Sequence, residues 1–339
     1  MPARRDLRRR AAALGVGAAL VLGACSPGLP EPSPAAAPAV PPPVLTIDQS
    51  GHVLGAIGAR LASSDTALSA AGLETRLTGP ALASRTAEYA VTTATAGAKG
   101  LTSLQMTAQT LIVPSTDTWP RTSFVVTKQP DDLSSPRLLV LQQAGPRSQY
   151  MLWGWVRLLP GIKMPATAVP TVGSTPLPAD AKGLVATPAD VVAHYADVLF
   201  NGDASAYAAG FAAPDSYRQG IASGRGPLAK VASQAAGTFT ETYAPVADQT
   251  FALSTADGGA LVVGAMSTSS ALAFKGASLP VPAELAAVSG GTIAPGTELR
   301  NSLAVTYADV IAFYVPPAAA KAPVTVLGAE HIRTSVTGS

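Results

Sequence analysis

The segment from Val191 to Tyr217, VVAHYADVLFNGDASAYAAGFAAPDSY, is the most informative stretch for the fold. Thr187 precedes it as a helix N-cap, and Pro188 takes the first helical position, where its missing N–H costs no hydrogen bond. Asp190 completes the predicted capping box. Helical spacing predicts one buried face, formed by Val191, Tyr195, Val198 and Leu199. The helix should end at the polar turn Asn201-Gly202-Asp203, and a second helix of small residues should follow.

An earlier segment of the chain follows the same plan. Thr46 and Gln49 form a predicted capping box, and Val53, Ile57 and Leu61 recur at helical spacing. We expect this helix to break at Ser63-Ser64-Asp65 before a second helix begins. Two helices should therefore open each half of the chain.

Strand-like segments follow the helices in both halves. In the first half they are QTLIVPS (109–115), TSFVVTKQ (122–129), RLLVLQQ (137–143) and QYMLWGWVRLL (149–159). In the second half they are GTFTETYA (237–244), ALVVGAM (260–266), ALAFKGA (271–277), LAVTYADVIAFYV (303–315) and PVTVLGAEHIRTSV (323–336). The sequence therefore predicts an α+β fold in two domains, each with helices followed by a curved antiparallel sheet.

Proline-rich stretches indicate the domain boundaries. We predict a signal peptide over residues 1–24, a tether over 25–44, a first α+β domain over 45–160, a linker over 161–184 and a second α+β domain over 185–339. Eight prolines fall between residues 26 and 43, which favours an extended polyproline II tether that holds the folded body away from its anchor.

The second half resembles the NTF2-like superfamily, which includes SnoaL and ketosteroid-isomerase relatives and is close to cystatin-like folds. The resemblance rests on the Asn201-Gly202-Asp203 turn and on Phe211-Ala212-Ala213-Pro214-Asp215 at the end of the next segment. It implies a cone-shaped pocket between a curved sheet and its helices, in which enzymatic members place an Asp or His base. Asp203 and Asp215 match structural positions of that family, and the segment 278–299 departs from it as a long loop.

The N-terminus has the pattern of an export signal. MPARRDLRRR is a basic n-region, and residues 11–24 form an apolar segment too short for a membrane span. Leu22-Gly23-Ala24-Cys25 resembles the lipobox of bacterial lipoproteins, which implies cleavage between Ala24 and Cys25 and acylation of the Cys25 thiol. The whole arrangement is similar to that of uncharacterised actinobacterial lipoproteins. We therefore predict a protein anchored by lipid on the extracytoplasmic face of the cell membrane, with both the general secretory and the twin-arginine export routes open.

Charge and cysteine content limit the possible functions. The formal net charge of +2 includes +4 from residues 1–24, so the remainder carries −2 and has no basic cluster for nucleic acid. Cys25 is the only cysteine, which leaves the predicted mature body without a disulfide or a catalytic thiol. No known metal-binding spacing joins His52, His194 and His331, so we predict no metal site and no cofactor.

Catalytic motifs are equally scarce. Ser223 in GIASG (220–224) stands one position too late for a nucleophile elbow. Asp309 is the one aspartate inside a strand-like segment of the second half, and we expect it to be a strand-edge residue rather than a base. We assign no catalytic residue and expect a non-enzymatic role.

Three features are candidates for an interaction surface. Trp153 and Trp155 are predicted to share one face of a strand, most simply in the core. Trp119 lies in a predicted loop, and the 278–299 loop is either a functional insertion or merely mobile. We predict a protein that binds an envelope protein or an envelope ligand; the alternative is an enzyme or small-molecule carrier that uses a pocket of the second half.

Overall fold

The protein is described by a computed structural model over residues 40–131 and 133–339. The predicted signal peptide, Ala24, Cys25 and most of the predicted tether lie outside the described residues. Within the described ranges, none of the helices combines the length and the hydropathy needed to cross a bilayer.

The two helices with predicted N-caps begin where those caps indicate. The α-helices are α1 (Ile47–Ala67), α2 (Gly79–Ala94), α3 (Pro188–Asn201), α4 (Ser216–Gln234) and the short α5 (Ala283–Ala286). Thr46 and Gln49 form the capping box of α1, and the Thr187 hydroxyl accepts from the Asp190 N–H at the start of α3. The α3 helix ends at Asn201 as predicted, whereas α1 continues through Asp65 to Ala67, so its predicted break is wrong.

The strands match the predicted segments closely. They are β1 (Ala108–Ile112), β2 (Arg121–Thr127), β3 (Arg137–Gln143), β4 (Met151–Leu158), β5 (Pro176–Leu177), β6 (Thr238–Ser254), β7 (Ala260–Ala273), β8 (Leu279–Pro280), β9 (Glu298–Leu299), β10 (Ser302–Val315) and β11 (Thr325–Gly338). The predicted strand ALAFKGA is not separate, because its first three residues continue β7. The α+β class with a curved antiparallel sheet is confirmed.

One antiparallel sheet contains strands from both halves of the chain. It has nine strands in the order β1-β2-β3-β4-β11-β10-β7-β6-β5, and β8 pairs with β9 separately. The halves meet where Leu158 and Arg157 of β4 pair with Gly328 and Ala329 of β11. The sheet is strongly curled. The rings of Trp153 and Phe251 meet edge to face inside the curl, with centroids 4.8 Å apart, which joins the two halves through their apolar faces.

The helices α1, α2 and α3 pack against the outer side of the curled sheet. In the first half, α1 and α2 pack on a cluster around Leu139, Leu152 and Trp155. In the second half, α3 packs on Val262, Ile311 and Phe313, among others. The α3 helix approaches β7 closely because Gly264 has no side chain there; an added Cβ would lie 2.4 Å from a Val192 methyl.

A bulge in β4 separates the two neighbouring tryptophans. The β3–β4 register shifts between Val140 and Leu141, which leaves Trp153 as the extra residue. Trp153 therefore enters the cluster inside the curl, whereas Trp155 lies under α2 on the other face. The core interpretation of both residues is confirmed, and the prediction that they share a face is wrong.

The segment 278–299 is an ordered insertion. It contains β8, α5 and β9, and it buries Val281, Val288 and Ile293 in a cluster with Ala87 of α2. The Val336 N–H also donates to the Val288 carbonyl at 3.0 Å. These contacts attach the insertion to the end of β11. The insertion is therefore a packed segment with short regular elements rather than the expected loop.

Candidate functional site

Asp309 lies in the middle of the sheet and is fully buried. Its strand, β10, is hydrogen-bonded to β7 on one side and to β11 on the other. Its neighbours on the same face, Ile311 and Phe313, belong to the core under α3. The expectation of a strand-edge residue is therefore wrong: the edges of the sheet are β1 and β5, at the two far ends.

Three donors surround the Asp309 carboxylate. The Thr268 hydroxyl of β7 donates to Oδ2 in a short hydrogen bond, and the Tyr217 hydroxyl of α4 donates to Oδ1 at 3.3 Å. His331 of β11 stands opposite Asp309 in the ladder, and its Nδ1 makes a short hydrogen bond with Oδ1. Both carboxylate oxygens are therefore satisfied, which is what a buried charged group requires.

The His331 ring is held in one orientation. Tyr307 stacks on it with centroids 4.0 Å apart and planes 13° from parallel. An ionised carboxylate only accepts hydrogen bonds, so Nδ1 donates to Asp309, and Nε2 has no partner among the described residues. The His331 side chain keeps 27% of its surface exposed. A carboxylate that fixes one ring nitrogen leaves the other ready to bind a ligand or to transfer a proton.

Tyr217 stays protonated at this site. Burial raises the pKa of its phenol well above the ordinary value, and the charge of Asp309 raises it further. It is therefore a permanent hydrogen-bond donor to the carboxylate. Because Tyr217 is in the first turn of α4, this bond also attaches the helix to the sheet.

A cavity of about 460 Å³ borders His331 and Tyr217. It lies between one face of α4 and the strands β6 and β11, with the end of β4 at its side. Its apolar wall includes Leu159, Ile221 and Leu228. Gly220 and Gly224 of α4 also line it, and a Cβ added to either would meet no atom within 4 Å. The volume is within the range of small-molecule sites.

Charged side chains around this cavity form mutual pairs. Arg225 Nε contacts Glu241 Oε2 at 2.8 Å, and the Tyr243 hydroxyl donates to the same oxygen. Burial raises the pKa of Tyr243, and the hydrogen bond to Glu241 raises it further. Glu330 Oε2 lies 3.6 Å from Arg137 Nη1. Burial raises the pKa of Glu330, and the charge of Arg137 opposes that rise.

The region around Tyr195 is filled by side chains. Tyr195 is fully buried, packs against Phe211 and Phe313 at 5.3 Å, and donates to Asp215 at 2.8 Å. Asp215 also caps α4, and Asp203 pairs with the buried Arg218 at 2.6 Å. These contacts agree with the structural roles that the resemblance implies for both aspartates.

The other candidates lie apart from this cluster. His194 stacks on Tyr207 at 3.8 Å beside a second cavity of about 610 Å³, and His52 is exposed on α1. Trp119 keeps 36% of its surface exposed, with the Arg121 guanidinium 3.8 Å above its ring. Within residues 40–131 and 133–339, no group of three or more His, Cys, Asp or Glu side chains has metal-binding geometry.

Sequence reasoning identified Asp309 and His331 but did not connect them. Asp309 and His331 are 22 residues apart, and Asp309 and Tyr217 are 92 apart. Alternation along β10 and β11 places each residue on a face, but it does not give the register between strands. A correct register would have paired Asp309 with His331 directly.

The comparisons with known proteins give a family and no individual relative. A family model described as "Domain of unknown function (DUF8094)" matches residues 42–338, which is most of the chain. No curated protein and no solved structure matches the chain.

Proposed function

We propose a ligand-binding function for this chain, which belongs to the DUF8094 family, a domain of unknown function. The protein would be a lipid-anchored component of the bacterial envelope, and its small-molecule site would be the cavity between α4 and the sheet. The observation that carries this proposal is the buried Asp309 that orients His331 on the wall of that cavity.

The energetics of the cluster support a function beyond packing. An apolar replacement of a buried charged network is often neutral or stabilising, so such a network is weak evidence for a role in stability. Here the network ends at a ring nitrogen beside a space large enough for a ligand. A buried carboxylate that orients an imidazole at a cavity wall is typical of binding and catalytic sites.

The proposal also assigns an NTF2-like fold to the second half and treats the first half as a domain of its own. Its support is the order of elements, with α3 and α4 before an antiparallel meander, and the Asp203–Arg218 pair at the predicted turn. The cavity lies between α4 and the sheet, and a carboxylate lies on that face of the sheet, as the resemblance implies.

Lipid anchoring at Cys25 is the second part of the proposal. Its support is the order n-region, apolar segment, Leu22–Cys25 and proline-rich tether in the sequence. Two or more acyl chains give stable membrane attachment, whereas one gives marginal attachment. Cys25→Ala should move the protein from the membrane fraction to the soluble fraction of cells. If the variant stays fully membrane-bound, the anchor assignment is wrong.

Native mass spectrometry of the protein purified from its own cells tests the cavity. Wild-type protein should carry a bound small molecule, and Gly224→Leu should lose it because Gly224 lines the cavity and a leucine there would occupy part of its volume. Gly55→Leu on α1 is the matched control, since its Cβ also meets no atom within 4 Å but lies outside the cavity. A bound molecule that both variants retain, or its absence from the wild type, would contradict the proposal.

Proton-transfer catalysis is a second candidate, favoured by the Asp309–His331 pair itself. An oriented imidazole is a general acid–base, whose contribution is typically 10²–10⁴-fold. His331→Gln would then retain the bound molecule but stop its chemical conversion, which mass analysis of the released ligand would detect. An unchanged molecule in both proteins would leave binding as the whole function.

A further inference from the structure

We infer that the cavity under α4 takes a small amphipathic anion, with one carboxylate-like group and an apolar body. This inference rests on the proposed function and specifies its ligand. It depends on two features of the cavity: the Arg157 guanidinium, which no carboxylate of the described residues contacts directly, and an apolar wall on α4 that includes two glycines.

Arg157 is the cation that no carboxylate contacts directly among the described residues. The three acidic groups around the cavity already have cationic or imidazole partners: Glu241 has Arg225, Glu330 has Arg137, and Asp309 has His331. Arg157 lines the same cavity and has no carboxylate within 4.0 Å in the described part of the chain, although its charge acts on Glu330 and opposes the rise of that group's pKa. An anion that enters the cavity therefore meets a guanidinium that none of the described carboxylates contacts directly.

His331 lies on the same cavity as this cation. Arg157 pairs with Ala329 in the β4–β11 ladder, and His331 is two residues further along β11 on the same face as Ala329. A guanidinium binds a carboxylate with two parallel hydrogen bonds, and the His331 ring lies on the same cavity for a further contact with the ligand. A cationic ligand would meet repulsion from Arg157 instead.

The opposite wall suits an apolar body. Gly220 and Gly224 are one helical turn apart, so they form a strip of bare backbone on the cavity side of α4. Leu228 continues that face by another turn and keeps 44% of its surface exposed, and Ile221 lies next to the strip. A flat apolar group could lie against this strip and cover Leu228, which would gain about 25 cal/mol for each Å² of apolar surface buried.

The test compares 2-naphthoate with 2-naphthamide, which has nearly the same shape and no charge. Binding is measured by calorimetry with the full lipidated chain in phosphatidylcholine nanodiscs, and empty nanodiscs provide the blank. Wild-type protein should bind the acid at least tenfold more tightly than the amide. Arg157→Gln should remove that preference, whereas Arg147→Gln, an exposed arginine outside the cavity, should keep it. Gly224→Leu should weaken both probes.

The outcomes separate this inference from the proposed function. Equal binding of acid and amide, with both lost in Gly224→Leu, would overturn the anionic ligand class and leave the cavity as the site. Binding that Gly224→Leu does not change would overturn both ideas, because the probes would then bind elsewhere. Absence of binding to wild-type protein would overturn the ligand class. Gly220→Leu repeats the cavity test if the first glycine variant proves poorly folded by thermal unfolding.

Discussion

Asp309→Ala should destabilise the protein because three donors depend on this carboxylate. The substitution removes the acceptor of the Thr268 hydroxyl, which is fully buried, and of the Tyr217 hydroxyl. His331 loses its Nδ1 partner as well, but its ring is partly exposed and water can replace that bond. The Thr268 and Tyr217 hydroxyls are therefore the main cost, and the Tyr217 hydroxyl keeps only a long contact of 3.4 Å with His331 Nδ1.

The magnitude follows from the cost of an unsatisfied buried donor, about 1–3 kcal/mol for each group. Two such groups give roughly 2–6 kcal/mol. Removal of a buried negative charge offsets part of this cost, because the carboxylate is itself expensive to desolvate. We expect a net loss of about 2–4 kcal/mol in the free energy of unfolding.

Urea unfolding of a double-mutant cycle with Thr268→Val tests the mechanism. Thr268→Val alone should cost about 1–3 kcal/mol, since it deprives Asp309 Oδ2 of its donor. In the Asp309→Ala background the same change should be neutral or stabilising, because it removes an orphaned hydroxyl. A loss below about 1 kcal/mol for Asp309→Ala, or strictly additive effects in the cycle, would refute this account of the cluster.

Three further predictions concern other parts of the molecule. Gly264→Ala should lower the free energy of unfolding by about 1–3 kcal/mol, and the thermal midpoint with it, because the new Cβ would lie 2.4 Å from a valine methyl of α3. Gly55→Ala, in open space on α1, should instead raise the free energy of unfolding by about 0.5–1 kcal/mol. Arg85→Leu should cost about 3–5 kcal/mol in urea unfolding, because it leaves two carboxylates without the buried guanidinium that contacts them, whereas Arg147→Leu should cost almost nothing. Burial, with a hydrogen bond to a nearby aspartate, raises the pKa of Tyr314 to about 12, so its contribution to stability is complete below pH 10 and is lost as the pH rises to about 12. Tyrosinate absorbance of native protein should accordingly rise at higher pH than that of unfolded protein; coincident titration curves would contradict this prediction.

Local sequence patterns predicted the secondary structure well because their causes are local. The Thr46–Gln49 capping box and the Thr187 cap depend on residues within one turn of the helix. Alternation and β-branched content likewise identify a strand without reference to its neighbours. The class of the fold and most of its elements could therefore be predicted from the sequence.

The site could not be predicted, because it depends on strand register and on bulges. Asp309, His331 and Thr268 come from three adjacent strands, and a slip of one residue in any pairing would move a side chain to the other face. Trp153 illustrates the same limit, since one bulge in β4 sends it to the opposite face from Trp155. Neither feature has a signal in the composition of its own segment.

In both halves an Asp–Arg ion pair attaches the second helix to the segment before it. Asp65 of α1 pairs with the buried Arg85 of α2, and Asp203 after α3 pairs with the buried Arg218 of α4. The two halves differ in the side chains that lie between the sheet and the second helix of each half. In the first half a fully buried indole, Trp155, fills that space.

In the second half Asp309 and His331 lie beneath α4, and Gly220 and Gly224 of α4 line the cavity next to His331. A cavity and a polar cluster both reduce stability relative to close packing. The first half also has a cavity, of about 420 Å³ beside Asp65 and Arg85, but none of the described residues that line it is a histidine. The Asp309–His331 pair, rather than a cavity alone, therefore distinguishes the second half and supports ligand binding there. If the cavity had no ligand, Gly220→Ala and Gly224→Ala would stabilise α4 at no functional cost. We expect instead that these variants gain about 0.5–1 kcal/mol each and lose affinity for 2-naphthoate, so that stability and binding change in opposite directions.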